Sequence, residues 1–332
     1  MRRTLAILTI VLVAAITATA SWAGSSSTRI GIAAYAVPRE ALGEIIEAWQ
    51  KTPNGSGVAV AQSYGASGDQ ARAVANGLPV DLVQLSTGLD IDSLVKKDLV
   101  DDNWDKKSYG GIVTNSLVVF AVRPGNPKRI RAWSDLVKPG VQIVSANPFT
   151  SGAAKWTILA AYGAQRKIGK TDRQGQAYVK ALLGNVVVQA KSGRDATNAF
   201  LSGKGDVLLT YENEALLSLT HGQELRFTIP QQSMLIEAPI AVLRDSENRR
   251  KANQFIEFAK SDPAQRIWAE WGFRPVSKRV AREFRAKYPS PPVVFRISDP
   301  IFGGWQTANR RWFDPKGSIM VDIEESIGVS PG

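Results

Sequence analysis

The stretch VSANPFTSGAAKW, residues 144–156, joins a β-rich run to a helix of small residues. A strand that turns through Ser151 and Gly152 into a helix leaves the first backbone N–H groups of that helix without intrahelical acceptors, beside a hydroxyl. These groups and the helix dipole favour an anion at that point. A single Ser-Gly pair at a helix start is more often an ordinary cap, so the interpretation depends on whether the arrangement recurs.

The same arrangement occurs twice more in the chain. A β-rich run precedes both Ser67-Gly68 and Ser192-Gly193, and a helical pattern follows each pair. Strands and helices alternate throughout, which predicts an α/β fold with parallel strands whose carboxyl ends bind the ligand. We therefore predict that three helix N-termini converge on one anion.

Length and composition set limits on the class of protein. The 332 residues exceed the size at which one core usually divides, so two lobes are expected. The chain has no Cys and a single His, His221, which excludes disulfides, thiolate metal sites and Cys nucleophiles and leaves no histidine cluster for zinc. We expect neither a metal nor a cofactor.

The formal net charge of +11 raises the question of nucleic-acid binding. The basic residues are scattered and interleaved with acids, without the repeated basic and aromatic platform of a nucleic-acid-binding surface. We expect no nucleic-acid partner. A generally basic surface instead favours a small anionic ligand through long-range steering.

Residues 1–23 are predicted to be a signal peptide. Two arginines precede an uncharged apolar run from Leu5 to Ala20, and Ser21-Trp22-Ala23 places small residues where a signal peptidase cleaves. The run has about 16 residues, fewer than the roughly 20 that span a bilayer. We expect cleavage after Ala23 and a periplasmic mature protein, with an uncleaved membrane anchor as the alternative.

Five motifs along the chain are similar to those of a known family. They are Asn126-Pro127, WSDLVKPGV at residues 133–141, Asn147-Pro148 with Ser151-Gly152, Glu212-Asn213-Glu214-Ala215, and Phe302-Gly303-Gly304-Trp305. In order and spacing they resemble the periplasmic sulfate/thiosulfate-binding proteins of ABC importers, over about residues 30–313. The resemblance implies a two-lobed type II periplasmic binding protein fold, in which each lobe is a sheet flanked by helices and the ligand lies in the cleft between the lobes.

The predicted lobes are discontinuous in sequence. Two strongly β-forming segments, residues 110–123 and 236–242, are predicted to cross between them. The expected division is lobe one, residues 24–114 with 236–285; lobe two, residues 115–235; and a C-terminal segment, residues 286–332, that packs across the lobes.

Carried over position by position, the resemblance also implies the ligand contacts. They fall on Ala36, Ser67, Ser151, Gly152, Ala153, Gly193 and Tyr211. Three depart from the family pattern: Ala36 replaces an Asp, Ala153 replaces the second Gly of Ser-Gly-Gly, and Tyr211 replaces a Trp whose ring N–H points at the anion. A backbone donor survives a change to Ala, and a Tyr hydroxyl can replace an indole donor if it reaches the anion.

Outside these contacts, Arg194 is expected to bond the loops around the site rather than the anion itself. The alternative for Arg194 is an ordinary exposed side chain, since long basic residues mostly lie at the surface.

The proton count of the ligand favours sulfate. Sulfate at neutral pH needs only donors, whereas phosphate carries a hydroxyl that needs an acceptor. No carboxylate falls among the positions carried over, and Ala36 removes the nearest candidate. Thiosulfate stays open, and molybdate, phosphate or another oxyanion is the alternative ligand.

Two other classes of function, an enzyme and a sensor or adhesion module, are alternatives to anion binding. An enzyme acting on sulfate or phosphate esters would need a nucleophile, a base or a metal cluster, and the sequence suggests none. An anion sensor or adhesion module remains an alternative, because fold does not fix function. The resemblance implies a monomeric binding protein that closes over sulfate or thiosulfate and delivers it to the membrane permease of an ABC importer.

Overall fold

The structure is a computed structural model and describes residues 28–329 of the chain. Strands and helices alternate along this range. The strands are β1 (Arg29–Tyr35), β2 (Ala59–Gly65), β3 (Leu82–Gln84), β4 (Ile112–Val122), β5 (Ile143–Ala146), β6 (Val186–Ala190), β7 (Val207–Tyr211), β8 (Arg226–Thr228), β9 (Gln232–Val242) and β10 (Val293–Phe295).

The helices lie mostly between these strands. They are α1 (Arg39–Gln50), α2 (Ser67–Ala75), α3 (Gly88–Val95), α4 (Gly152–Lys167), α5 (Asp172–Gly184), α6 (Gly193–Leu201), α7 (Glu212–Thr220), α8 (Arg249–Lys260), α9 (Asp262–Glu270), α10 (Lys278–Glu283), α11 (Gly304–Ala308) and α12 (Ile319–Ser326). Short 3-10 turns cover Trp104–Lys106, Ser108–Gly111 and Trp133–Asp135, and a π turn covers Asn309–Phe313.

The strands form two half-sheets joined by one antiparallel pair. The first has the order β2-β1-β3-β9, with β1 parallel to both neighbours and β9 antiparallel to β3. The second has the order β4-β7-β5-β6, with β5 parallel to both neighbours and β4 antiparallel to β7. β8 pairs with β4, and β10 pairs with β9.

β4 and β9 each run for 11 residues and pass from one half-sheet into the other. Residues 112–117 of β4 pair with β9, and residues 118–122 then pair with β7. In the same way, residues 235–239 of β9 pair with β4 before residues 240–242 pair with β3. This is the two-lobed α/β arrangement that the sequence predicts, while the exact lobe boundaries stay a prediction.

Helix α4 lies at the centre of the molecule. Of its 16 residues, 14 are buried, whereas α1 buries only one face. Burying an apolar side chain stabilises the fold by about 1.5–3 kcal/mol. The N-terminus of α4 is therefore held by extensive packing around the rest of the helix.

The C-terminal segment contacts elements of both halves. The side-chain amide of Gln306 in α11 donates to the carboxylate of Asp92 in α3 (2.7 Å). The carboxylate of Glu324 in α12 accepts from the side-chain amide of Gln189 in β6 (2.9 Å). The C-terminal segment is therefore bonded to both halves of the molecule.

Within residues 28–329, none of the helices is both long enough and apolar enough to cross a membrane. The predicted signal peptide, residues 1–23, and its cleavage after Ala23 lie outside the described residues.

Candidate functional site

One small cavity lies between the two half-sheets, and every ligand contact that the sequence predicts lines it. The cavity has about 210 Å³ of empty space. Its lining residues are Tyr35, Ala36, Val37, Gly65, Ala66, Ser67, Ser86, Ser151, Gly152, Ala153, Ser192, Gly193 and Tyr211. None of these lining residues has a charged side chain. Backbone amides, hydroxyls and small or aromatic side chains therefore determine what the cavity can hold.

Ser151 is the N-cap of α4, and its hydroxyl is available to the cavity. Its Oγ accepts a hydrogen bond from the N–H of Ala153 (3.2 Å), which leaves the hydroxyl hydrogen for another acceptor. Asn147 holds the preceding turn: its carbonyl accepts from the N–H of Ser151 (2.9 Å), and its side-chain oxygen accepts from the N–H of Phe149 (2.8 Å). The turn thereby fixes the direction in which α4 begins.

Gly152, the first residue of α4, lies too close to the other half-sheet for any side chain. A Cβ at this position would lie 2.5 Å from Oγ of Ser86 and 2.8 Å from Cγ2 of Thr87. The N–H of Gly152 has no intrahelical acceptor because it lies in the first turn. Glycine therefore lets this donor approach the loop that follows β3.

Ser67 differs from Ser151 in its position and its bonding. Helix α2 begins at Ser67 itself, with Ala66 as the N-cap. The Ser67 hydroxyl donates to Oδ2 of Asp90 (2.5 Å) and accepts from the N–H of Ser86 (2.9 Å). Because a hydroxyl has one hydrogen, Ser67 retains only its backbone N–H for a ligand.

The third helix start brings Gly193 beside the start of α4. Ser192 caps α6: its Oγ accepts from the N–H of Asp195 (3.1 Å) and donates to the carboxylate of Asp195 (2.7 Å). A Cβ on Gly193 would lie 3.1 Å from Cβ of Ala153. The first turns of α4 and α6 are thus in close contact at the cavity, as the sequence predicts.

Tyr211 ends β7 and places a phenol at the cavity where the resembled family has an indole. The side chain is buried, and its hydroxyl lies 2.6 Å from Oγ of Ser86, with either oxygen able to donate. Burial, reinforced by the nearby Tyr35, raises the pKa of Tyr211 well above its ordinary value of 10.0. The phenol therefore keeps its hydrogen and remains a donor at physiological pH.

Six residues that line the cavity are outside the predicted set of ligand contacts. These are Tyr35, Val37, Gly65, Ala66, Ser86 and Ser192. Ser86 bonds to three parts of the site: its N–H donates to Ser67, its carbonyl accepts from the Trp156 indole (2.9 Å), and its hydroxyl pairs with Tyr211. Its position directly after a β-rich run is the local signal that predicts it at the ligand-binding edge of the sheet.

Arg194 lies outside the cavity and joins the two halves around it. Its guanidinium bonds the carboxylate of Glu214 in α7 at 2.8 and 3.0 Å, and that of Glu40 in α1 at 2.7 and 2.9 Å. It also donates to the carbonyl of Val37 (3.0 Å). Burial alone would raise the pKa of Glu40, but the hydrogen bonds and charge of Arg194 hold it below its usual 4.5.

Two further contacts close the cleft. The N–H of Gly68 donates to the carbonyl of Thr150 (3.2 Å), and the ammonium of Lys191 pairs with Asp69 (2.9 Å). Each joins an element of the first half to one of the second. The cavity therefore lies inside a closed cleft.

The cavity would stabilise an anion through dipoles, since no lining residue has a charged side chain. The first N–H groups of α2, α4 and α6, on Ser67, Gly152 and Gly193, lack intrahelical acceptors. Burying a charge without such partners costs tens of kcal/mol by simple solvation arguments. Charge-assisted hydrogen bonds to fixed donors offset that cost. The arrangement suits a compact anion that needs many donors.

With its two half-sheets, two crossing strands and enclosed cavity, the chain has the fold of the type II periplasmic binding proteins. The periplasmic binding protein AfuA from Actinobacillus pleuropneumoniae matches it with a TM-score of 0.67 at 18% identity, over 92% of this chain and all of that one. At that identity the likeness shows the fold alone.

The chain belongs to the family of bacterial extracellular solute-binding proteins, whose model matches residues 30–274. The sulfate-binding protein of Synechocystis is 35% identical over 92% of this chain and 89% of its own length. The thiosulfate-binding protein of Pseudomonas aeruginosa is 33% identical over 84% and 87%. The structure of the sulfate-binding protein SubI from Mycobacterium tuberculosis H37Rv matches with a TM-score of 0.84 at 42% identity, over 86% of this chain and all of that one. The resemblance inferred from the motifs is confirmed.

Proposed function

We propose that this protein captures sulfate in the cavity between its lobes and delivers it to the permease of an ABC importer. The observation that carries the proposal is the lining itself: three helix N-termini and the hydroxyls of Ser151 and Tyr211 surround a cavity without a charged side chain. A fully deprotonated tetrahedral anion needs only donors, so it matches this set. Relatives named for sulfate and thiosulfate binding support the same ligand class.

The proposed contacts combine backbone and side-chain donors. The backbone donors are the N–H groups of Ala36, Ser67, Gly152 and Gly193, and the side-chain donors are the hydroxyls of Ser151 and Tyr211. The N–H of Ala153, which donates to Oγ of Ser151, is shared between that cap and the anion. Arg194 acts outside this set by holding α1 and α7 around the bound anion. Asp90 orients the Ser67 hydroxyl and does not touch the ligand.

Phosphate is the natural competitor, and the lining argues against it. Its hydroxyl at neutral pH would need an acceptor, and no lining residue carries a carboxylate. Thiosulfate differs by one sulfur in place of an oxygen and asks for the same donors, so it is the second candidate ligand.

Capture proceeds by closure of the lobes. The lobes move about β4 and β9, and the anion bridges the N-terminus of α2 on one side and those of α4 and α6 on the other. We propose that the mature protein is a periplasmic monomer, released by cleavage after Ala23, that binds its ligand without chemical change. Only the closed form presents both lobes to the permease in the orientation that delivery requires.

A thermal-shift experiment on the mature protein, stripped of anion, tests the proposal. Sulfate, thiosulfate, molybdate, phosphate and chloride are compared at equal ionic strength. A ligand at about 100 times its dissociation constant stabilises by about 2.7 kcal/mol, which raises the melting temperature by several degrees. A shift with sulfate, or with sulfate and thiosulfate, supports the proposal. A shift with molybdate or phosphate alone would show that the cavity binds another oxyanion. If none of the five anions shifted the melting temperature, the transport function would be contradicted and a role without anion binding would be favoured.

A further inference from the structure

A second, larger pocket lies beside the anion cavity, beyond the hydrogen bond between Gly68 and Thr150. It is the larger of the two, and part of it is open to solvent. Helices α2 and α3, the turn before α4, α4 itself and the C-terminal segment all contribute to it.

Lys155 is a buried cation in this lining. The residue is only 6% exposed, and its ammonium has no hydrogen-bond or ion-pair partner among residues 28–329. Burial lowers the pKa of Lys155 below its ordinary 10.5, and the positive charge of Arg72 adds to this against the opposing effect of Asp90. The ammonium itself is not enclosed and keeps contact with the solvent in the pocket, so an anion that entered the pocket could pair with it.

The acidic residue in this lining, Asp90, already accepts hydrogen bonds from other side chains. Oδ2 of Asp90 accepts hydrogen bonds from the hydroxyls of Ser67 (2.5 Å) and Thr87 (2.9 Å). No ion pair within 4.0 Å links Asp90 to Lys155 in the described part of the chain. Asp90 therefore serves the anion cavity and leaves the ammonium unpaired.

Further cations surround the opening of the pocket. Arg72, Lys96 and Lys97 line it together with Lys155, against the single carboxylate of Asp90. Arg72 pairs with Asp69, and the ammonium of Lys96 reaches only the side-chain amide oxygen of Gln306 (3.4 Å). The pocket thus has an excess of positive charge that a ligand with several anionic oxygens can use.

The remaining wall is apolar. Leu89 and Phe313 are buried, Phe149 is half-buried, and Pro315 completes the surface. A small inorganic anion would leave the exposed parts of Phe149 and Pro315 in contact with water. A ligand with an apolar group gains from covering them, at about 25 cal/mol for each Å² removed from water.

We propose that this pocket binds an organic sulfonate or sulfate ester, with its anionic head at Lys155 and its apolar body against Phe149 and Pro315. Such a ligand uses both features of the lining, the unpaired ammonium and the apolar wall. It is too large for the anion cavity, so the two sites hold different members of one chemical class. The choice of a sulfur oxyanion as the head rests on the proposed capture of sulfate, whereas the cation and the apolar wall are features of this pocket itself.

Calorimetric titration of the mature protein with benzenesulfonate tests the inference, both without sulfate and with a small molar excess of it. We expect one molecule to bind per chain in both conditions. Methanesulfonate, which lacks the apolar body, and benzyl alcohol, which lacks the charge, are each expected to bind at least tenfold more weakly. Absence of benzenesulfonate binding, loss of it in the presence of sulfate, or equal binding of benzyl alcohol would overturn the assignment.

Two variants separate the charge from the apolar wall. We expect Lys155→Met and Phe149→Ala each to weaken benzenesulfonate binding at least tenfold, while Lys180→Met, an exposed lysine of α5, leaves it unchanged. Circular dichroism and thermal melting verify that each variant is folded. If Lys155→Met does not fold, Phe149→Ala and the comparison of ligands still decide the result. Unchanged binding by a folded Lys155→Met protein would contradict the inference.

Discussion

The lining of the anion cavity and the rim around it are built from different materials. None of the cavity's lining residues has a charged side chain, whereas the rim is held by ion pairs such as Arg194–Glu40 and Lys191–Asp69. Backbone amides do not titrate in the physiological range and cannot rotate away from the ligand, while charged side chains can do both. From this difference we expect the cavity to determine which anion binds and the rim to determine how firmly the lobes stay closed.

The largest loss of sulfate affinity is expected at Gly152, a lining residue that lies where the two halves of the molecule meet. In Gly152→Ala the new methyl group would lie under 3 Å from atoms of Ser86 and Thr87, which belong to the opposing half. Overpacking of this kind costs about 3 kcal/mol at the upper end of its usual range, or about 150-fold in affinity. Calorimetry with sulfate measures it.

Gly43→Ala is the matched control for that change, because a Cβ at Gly43 in α1 meets nothing within 4 Å. Its sulfate affinity should equal that of the wild type. If Gly152→Ala also bound sulfate like the wild type, the closed contact between the halves would not be needed for binding.

The next effect isolates a single donor of the lining. Ser151→Ala removes the hydroxyl that we propose donates to the anion, and with it the cap of α4. A hydrogen bond to a charged partner contributes about 1.5–3 kcal/mol, so sulfate affinity should fall by about 30-fold. Thr171→Ala removes the cap of α5, a hydrogen bond of 3.3 Å to the N–H of Gln174, without touching the cavity. It should lower the melting temperature but not sulfate affinity. Equal losses of affinity in both variants would show that Ser151 acts only as a helix cap.

A smaller effect is expected at the rim. Glu40→Gln keeps the shape of the side chain but removes its charge, leaving Arg194 paired with Glu214 alone. Because Glu40 is partly exposed, we expect a loss of about 1 kcal/mol, or about fivefold in sulfate affinity, with a faster dissociation rate. Stopped-flow measurement of dissociation checks this, with the exposed Glu47→Gln on the same helix as the control. A dissociation rate identical to that of Glu47→Gln would show that the Arg194 contacts do not hold the lobes closed.

The smallest effect is a dependence on pH. The pKa of Glu40 is lowered in the closed protein, so its contribution is complete above the ordinary value of 4.5 and is lost as the pH falls through the lowered value. Sulfate affinity should therefore be constant from neutral pH down to about 5 and decline in more acidic solution. The Glu40→Gln variant should show a shallower decline than the wild type, and an identical decline in both would assign the acid sensitivity to other groups.

Much of the fold follows from local sequence patterns. The alternation of β-rich and helical runs gives the two half-sheets, and the long segments at residues 110–123 and 236–242 contain the observed crossings in β4 and β9. These features are predictable because helix and strand periodicity is local. Lobe boundaries depend on which residues move together, and periodicity does not carry that information.

The hydrogen-bond donors of the site were predictable from the sequence, but the residues that hold those donors in place were less so. Ser67 and Ser151 look alike in sequence, yet the hydroxyl of Ser67 donates to Asp90, whereas Oγ of Ser151 accepts from the N–H of Ala153. The partners of Ser86, from β7 and α4, are far from it in the chain, so no local pattern announces them. Contacts between distant segments are what sequence spacing alone leaves undetermined.

The most direct test of the central claim is a calorimetric comparison of sulfate and phosphate at neutral pH on the anion-free mature protein. A lining without a carboxylate should prefer the anion without a hydroxyl, and an unmet hydrogen bond in a buried site costs about 1–3 kcal/mol, or about 5- to 150-fold in affinity. We predict that sulfate binds with one molecule per chain and at least tenfold more tightly than phosphate. Equal affinity for the two anions would contradict the account of how this cavity selects its ligand.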